Sequence, residues 1–154
     1  MRVAGIILIG ILVSSIGFII TNRLLTKAKQ LKSIILMIKI TKQKILYNKE
    51  TVYKILKGFS TNDYDFLFKN TFDYNEICFN NNMLLIDNEQ KTTLYEYFCS
   101  LGTTDVSGQV AHCENYIDLF SNYLSKCEKE NSKKINLYPS LFILLGMLIV
   151  LILI

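Results

Sequence analysis

No charged residue stands between Leu137 and Ile154, and an amphipathic helical pattern runs directly into that stretch. Upstream of it Val110, Cys113, Ile117, Phe120, Leu124 and Cys127 recur at 3-4-3-4-3 spacing, which keeps all six on one side of a helix. The 18 residues from Leu137 to Ile154 have Tyr138 and Ser140 as their only polar side chains. That length is close to the roughly 20 apolar residues needed to cross about 30 Å of hydrocarbon. A water-exposed helix is therefore expected to continue into a lipid-embedded one.

The other end of the chain repeats the theme. Val3 to Ile20 is a second run of 18 residues, polar only at Ser14 and Ser15. A cleaved secretory signal would start the same way. However, the run exceeds the usual 7–15 residue apolar region, carries a single basic residue before it, and has no small-x-small site after it. A retained anchor is the preferred reading. Within it Gly10 and Ser14 lie four apart, a spacing that lets helices approach closely in lipid, against the second span or against another subunit in a homo-oligomer. The expected architecture is all-α: a transmembrane helix over residues 1–20, a cytosolic helical bundle over 21–136, and a transmembrane helix over 137–154.

Charge sets the orientation. Thr21 to Gly58 holds ten basic residues against Glu50 alone. Lys126, Lys129, Lys133 and Lys134 precede the second span, only Arg2 lies outside the first, and nothing charged follows the second. By the positive-inside tendency both termini face outward and the middle of the chain is cytoplasmic, on a cell membrane crossed twice. In that reducing compartment Cys78, Cys99, Cys113 and Cys127 read as buried thiols that behave as small hydrophobes. They contain no Cys-x-x-Cys pair, and the sole histidine, His112, adjoins Cys113, so no metal site is expected. A secreted, disulfide-linked domain is the reading that an external location would require.

The basic stretch has its own pattern. Leu24, Ala28, Leu31, Ile35, Ile38 and Ile45 form an apolar stripe interrupted by Lys42, predicting a long helix with one packed and one cationic face. Arg23, Lys27, Lys29, Lys32, Lys39, Lys42 and Lys44 are the candidate surface for anionic membrane lipids or for an acidic partner. Nucleic acid is a poorer match, because these lysines begin beside the membrane and lack interleaved aromatics. From Phe59 to Ser125 ten acids stand against Lys69 and Lys91, so the basic helix has an acidic body within the same fold to pack along.

Punctuation residues divide the remainder. Thr51 reads as an N-cap and Gly58 as the stop of a short helix; Asn80-Asn81-Asn82 reads as a turn, with two or three short helices between Asn62 and Asn88. Asp87 or Asn88 caps a helix bearing Leu94, Tyr97, Phe98 and Leu101, and Gly102 closes it. Thr104 or Asp105 then caps the last long helix, and Pro139 marks a kink or a fresh start at the bilayer surface. The sequence contains no glycine-rich phosphate loop, nucleophile elbow, His-Glu-x-x-His pair or carboxylate pair on one helical face. No catalytic residue and no cofactor is expected, and the protein is not expected to be an enzyme.

The connector Leu101-Gly102-Thr103-Thr104-Asp105-Val106-Ser107-Gly108-Gln109 carries a resemblance. Leu101, Gly102, Asp105 and Gln109 stand where the stage III sporulation protein AB family has its Leu-Gly-x-x-Asp-x-x-x-Gln signature, with Leu94 and Phe98 before it. Tyr138, Ser140, Leu141 and Gly146 are similar to that family's downstream tyrosine, Ser-Leu and glycine, and Ile45-x-Tyr47 followed by Thr51 resembles its earlier turn. Lys44 stands where an acid is usual, Val52 where a proline is, and Phe142 where a glycine often stands. The resemblance implies a helical bundle similar to the cytoplasmic domains of platform proteins of type II secretion and type IV pilus systems. It also implies a non-enzymatic place in the channel between mother cell and forespore, with the central domain on the mother-cell side and other sporulation channel proteins, a secretion-type ATPase among them, as partners. A stand-alone membrane-tethered sensor or adaptor is the competing reading.

Overall fold

The computed structural model describes residues 2–59, 64, 66–67 and 83–153. Among them the chain is helical and contains no strand. The elements are α1 (Arg2–Gln43), a π-helical turn (Lys44–Asn48), α2 (Val52–Phe59), α3 (Asn88–Ser100) and α4 (Val106–Leu153). The expected short helices and the Asn80-Asn81-Asn82 turn lie outside the described residues.

α1 and α4 are each long and apolar enough to cross a membrane. The 48 residues of α4 are more than twice the roughly 20 needed to cross a hydrocarbon core. The chain divides into two compact units whose seams fall inside these two helices: residues 1–28 with 126–154, and residues 29–125. Pro139 neither stops nor restarts α4, which continues through it. Proline lacks the backbone donor that would bond the Ile135 carbonyl, so α4 runs past it without that intrahelical bond.

In the first unit, the early part of α1 packs on the late part of α4 through glycines. A Cβ on Gly10 would stand 2.6 Å from Val150 Cγ2 and 3.3 Å from the Gly146 carbonyl oxygen, and one on Gly146 would stand 2.8 Å from the Gly10 carbonyl oxygen. One on Gly17 would meet Phe142 Cβ at 2.9 Å. The close approach therefore survives the phenylalanine at 142 because the facing residue has no side chain. Nearer the charged end, buried Asn131 donates from Nδ2 to the Leu24 carbonyl at 3.3 Å. Large apolar side chains such as Ile11, Phe18, Leu144 and Leu151 remain exposed on this unit.

The second unit has a closed core. Leu31, Ile34, Ile35, Met37, Ile38 and Ile45 of the α1 side are buried together with Ile55 and Leu56 of α2, Leu94, Tyr97 and Phe98 of α3, and Cys113 and Phe120 of α4. Burying a side chain of this size is worth roughly 1.5–3 kcal/mol. The apolar face of α1 is wider than the predicted stripe, and the position given to Lys42 is taken by buried Thr41, whose hydroxyl donates back to the Met37 carbonyl at 2.9 Å. Along α4 the buried members of the predicted stripe are Cys113 and Phe120 here and Cys127 in the first unit, seven apart, while Val110, Ile117 and Leu124 are half-buried. Cys99 is exposed and so departs from the buried-thiol expectation; it follows Phe98 on the outer side of α3. Cys78 lies outside the described residues.

A buried polar side chain also ties this unit. Gln30, buried on α1, donates from Nε2 to the Met83 carbonyl at 2.6 Å and accepts the Leu85 N–H on Oε1 at 2.8 Å. A single side-chain amide thus satisfies both sides of the extended segment that enters α3. Asp87 then caps α3, and its N–H donates back to Gln90 Oε1 at 3.1 Å, a capping box.

Candidate functional site: the α3–α4 corner and its groove

The chain reverses between α3 and α4 by a sequence of local bonds. Leu101 is fully buried and donates its N–H to the Phe98 carbonyl at 3.3 Å, which closes the last turn of α3. Gly102 follows with φ 87°, in the left-handed region that a Cβ disfavours. Thr103 Oγ1 donates to the Ser100 carbonyl at 2.8 Å.

Asp105 starts α4. Its Oδ1 accepts the Gly108 N–H at 3.0 Å, its Oδ2 accepts the Ser107 hydroxyl at 2.5 Å, and its carbonyl accepts the Gln109 N–H at 2.9 Å. Of the two residues expected as the cap, Asp105 is the one that does it. The Ser107 hydroxyl, followed by the Gly108 N–H, holds the Asp105 carboxyl below its ordinary range, because both bonds favour the charged form. Gln109 completes the corner by donating from Nε2 to the Thr104 carbonyl at 2.8 Å. Leu101, Gly102, Asp105 and Gln109 thus have four separate structural tasks in one reversal.

Two of these residues also face outward. Gly102, Val106 and Gln109 line a groove of about 640 Å³, opposite Ile45 and the segment Lys49 to Tyr53. That opposite wall has its own forced geometry. Lys49 is in the left-handed region at φ 50°, its N–H donates to the Lys44 carbonyl, and α2 begins at Val52. Thr51 precedes α2 as expected and its carbonyl accepts the Ile55 N–H at 3.1 Å; Gly58 does not end that helix, which continues through Phe59. Lys44 lies 4.0 Å from Glu50 and 5.7 Å from the centre of the Phe59 ring. Tyr53 and Val106 are about half exposed at the rim.

The seven basic residues expected to form one surface are distributed. Arg23 and Lys27 belong to the first unit, and Lys29, Lys32, Lys39, Lys42 and Lys44 to the second. Lys42 is held by α4: its Nζ meets Glu114 Oε1 at 2.6 Å, a bond that raises its pKa further. Lys29, Lys32, Leu36, Lys39 and Gln43 recur at 3-4-3-4 spacing and are all exposed, forming a cationic strip with one leucine at its centre.

Behind the corner lies an aromatic cluster of which apolar periodicity marked Tyr97 but neither His112 nor Tyr116. The Tyr97 and His112 rings stack at 5.4 Å between centroids, and Tyr116 stands 4.7 Å from His112. His112 Nε2 is 3.2 Å from the Tyr97 carbonyl and 3.3 Å from Ser100 Oγ, so the imidazole reaches the last turn of α3. Tyr97 Oη and Cys113 Sγ are 3.8 Å apart. Burial pushes the Tyr97 hydroxyl well above the ordinary tyrosine range and raises the Cys113 thiol as well. Adjacent His112 and Cys113 therefore both serve one tyrosine. The i, i+4 pair His112 and Tyr116 was the sequence signal for this cluster.

Among the described residues no three His, Cys, Asp or Glu side chains converge as metal ligands would. A family model described as stage III sporulation protein AB matches residues 74–154, which take in α3, the corner and all of α4. No curated protein and no solved structure matches the chain.

Proposed function

Because the chain belongs to the stage III sporulation protein AB family, we propose that it is a non-enzymatic membrane component of the channel, or secretion-like apparatus, that joins mother cell and forespore. The observation that carries this reading is the match itself, which runs from α3 through the corner and into the second long apolar helix. The glycine-mediated packing of α1 on α4 supports a two-span hairpin. The excess of lysines between the spans supports a central domain on the cytoplasmic, mother-cell side of the cell membrane.

The partners in this reading are other sporulation channel proteins, with a secretion-type ATPase as the neighbour that platform-like architecture calls for. Two surfaces are available for them: the groove beside Gly102 and Gln109, and the cationic strip from Lys29 to Gln43. No chemical step is assigned to either. Photo-crosslinkers placed at Tyr53 and at Lys39 in sporulating cells test this, and capture of other channel proteins is the expected result. The competing reading, a sensor or adaptor acting alone, draws on the continuity of α4 from Val106 to Leu153 as a relay and predicts no such capture.

A further inference from the structure

We propose that a shallow groove on α4, lined by Lys133, Asn136, Leu137, Ser140, Leu141 and Leu144, seats one anionic phospholipid. Its phosphate would lie between Lys133 and Asn136, and an acyl chain along the three leucines. The proposal rests on the membrane reading above and adds to it a site and a headgroup charge.

The groove is polarised along the helix. Its cation and amide come first, Ser140 sits midway, and Leu137, Leu141 and Leu144, exposed by 54%, 49% and 65%, complete it. Lys133, Leu137, Leu141 and Leu144 recur at 4-4-3 spacing, so they share one face. From Lys133 to Leu144 the helix rises about 16 Å. One leaflet of hydrocarbon is about 15 Å deep, half of the usual core. A lysine at the upper end of a strip of that length is placed at headgroup level.

Charge selects the headgroup. Arg23, Lys126, Lys129 and Lys134 are further exposed cations of the same unit, against the acids Glu128 and Glu130. The field there is positive, and no charged side chain stands among residues 135–154 to offset it. A zwitterionic headgroup gains little from such a field, whereas a net negative one is held by it.

The test uses the full chain reconstituted in phosphatidylcholine vesicles containing either spin-labelled phosphatidylglycerol or spin-labelled phosphatidylcholine. The motionally restricted fraction should show about fivefold preference for phosphatidylglycerol. Lys133→Gln with Asn136→Ala should remove most of that preference at unchanged helical content, Lys133→Arg should keep it, and Lys54→Gln, in the other unit, should leave it unchanged. Equal retention of both lipids by the unaltered chain would overturn the site while leaving the membrane reading intact. So would a Lys133→Gln effect no larger than that of Lys54→Gln, or displacement of the lipid by excess glycerol phosphate. Absence of a restricted fraction with either lipid would overturn the membrane reading and the site together.

Discussion

Asp105 Oδ1 accepts the Gly108 N–H at 3.0 Å, and a Cβ added at Gly108 would stand 2.9 Å from that same oxygen and 2.8 Å from Thr104 Oγ1. The cap and the glycine are thus one device, since the carboxylate occupies the space a side chain at 108 would need. Asp105→Ala should lower the melting temperature by roughly 4 °C, the usual effect of losing an N-cap in a domain of this size. Gly108→Ala should do the same by displacing the cap. The double variant should lose less than the two single losses combined, because both remove one interaction. Melting curves of the three variants measure this.

The same carboxylate gives a pH dependence whose direction is set. Its folded pKa is depressed below the ordinary 3.8, first by the Ser107 hydroxyl and then by the Gly108 N–H. A depressed acid contributes stability that is present above its unfolded pKa and disappears as pH falls through the folded one. The corner should therefore loosen below about pH 4. Asp105→Asn should remove that part of the acid transition, which an acid titration followed by circular dichroism would show.

Tyr97 behaves in the opposite sense. Burial raises its folded pKa above the ordinary 10.0, so the stability it contributes is complete below pH 10 and is lost as pH rises toward the folded value. Tyr97→Phe keeps the ring that stacks on His112 and removes the titrating group. It should flatten the alkaline limb of the unfolding curve with little change at neutral pH, whereas Tyr97→Ala should cost about 3–5 kcal/mol by opening a cavity.

Gln30 predicts a larger loss than its polar character suggests. Its amide satisfies the Met83 carbonyl and the Leu85 N–H, 53 and 55 residues away. Gln30→Leu would fill similar volume and leave both backbone groups without that partner, at a cost of order 2 kcal/mol. Gln30→Glu should recover part, since a carboxylate can still accept the Leu85 N–H. Denaturant titration of both variants separates these outcomes.

The corner was legible in part because its constraints are local: Gly102 past a helix end, and Thr104 or Asp105 before the next helix; Gln109 was marked by the family resemblance alone, and the part played by Gly108 emerged only in the structure. The core of α3 was legible through the spacing of Leu94, Tyr97, Phe98 and Leu101, all of which are buried. Other features depended on distance along the chain or on context. Gln30 finds its partners more than fifty residues away, and nothing about its neighbours announces them. Lys42 was read as the interruption in the α1 stripe, and the buried position there is Thr41 instead, since a threonine that bonds its own helix can be buried. Gly58 was read as a stop and α2 ends one residue beyond it, whereas at Pro139 the fresh start that intrinsic preference suggested is absent because α4 continues. Cys99 was assigned to the core by residue type, although the spacing of its buried neighbours already placed it outside.

The glycines at the α1–α4 contact supply the remaining prediction. A Cβ at Gly17 would lie 2.9 Å from Phe142 Cβ and 3.1 Å from the Tyr138 carbonyl oxygen, whereas one at Gly5 would meet nothing within 4 Å. Both positions are glycines on the same helix, so intrinsic helix preference treats them alike and only the facing helix distinguishes them. Gly5→Ala should be neutral or slightly stabilising, since alanine is the better helix former by roughly 1 kcal/mol. Gly17→Ile should force the helices apart at a cost of about 1–3 kcal/mol, the range for overpacking a fitted interface. Phe142→Gly placed beside Gly17→Ile should return part of that loss by giving the new side chain room. Unfolding of the detergent-solubilised chain measures the energies, and spin labels on α1 and α4 measure the separation. Equal effects at positions 5 and 17 would mean that the two helices do not pack at this level.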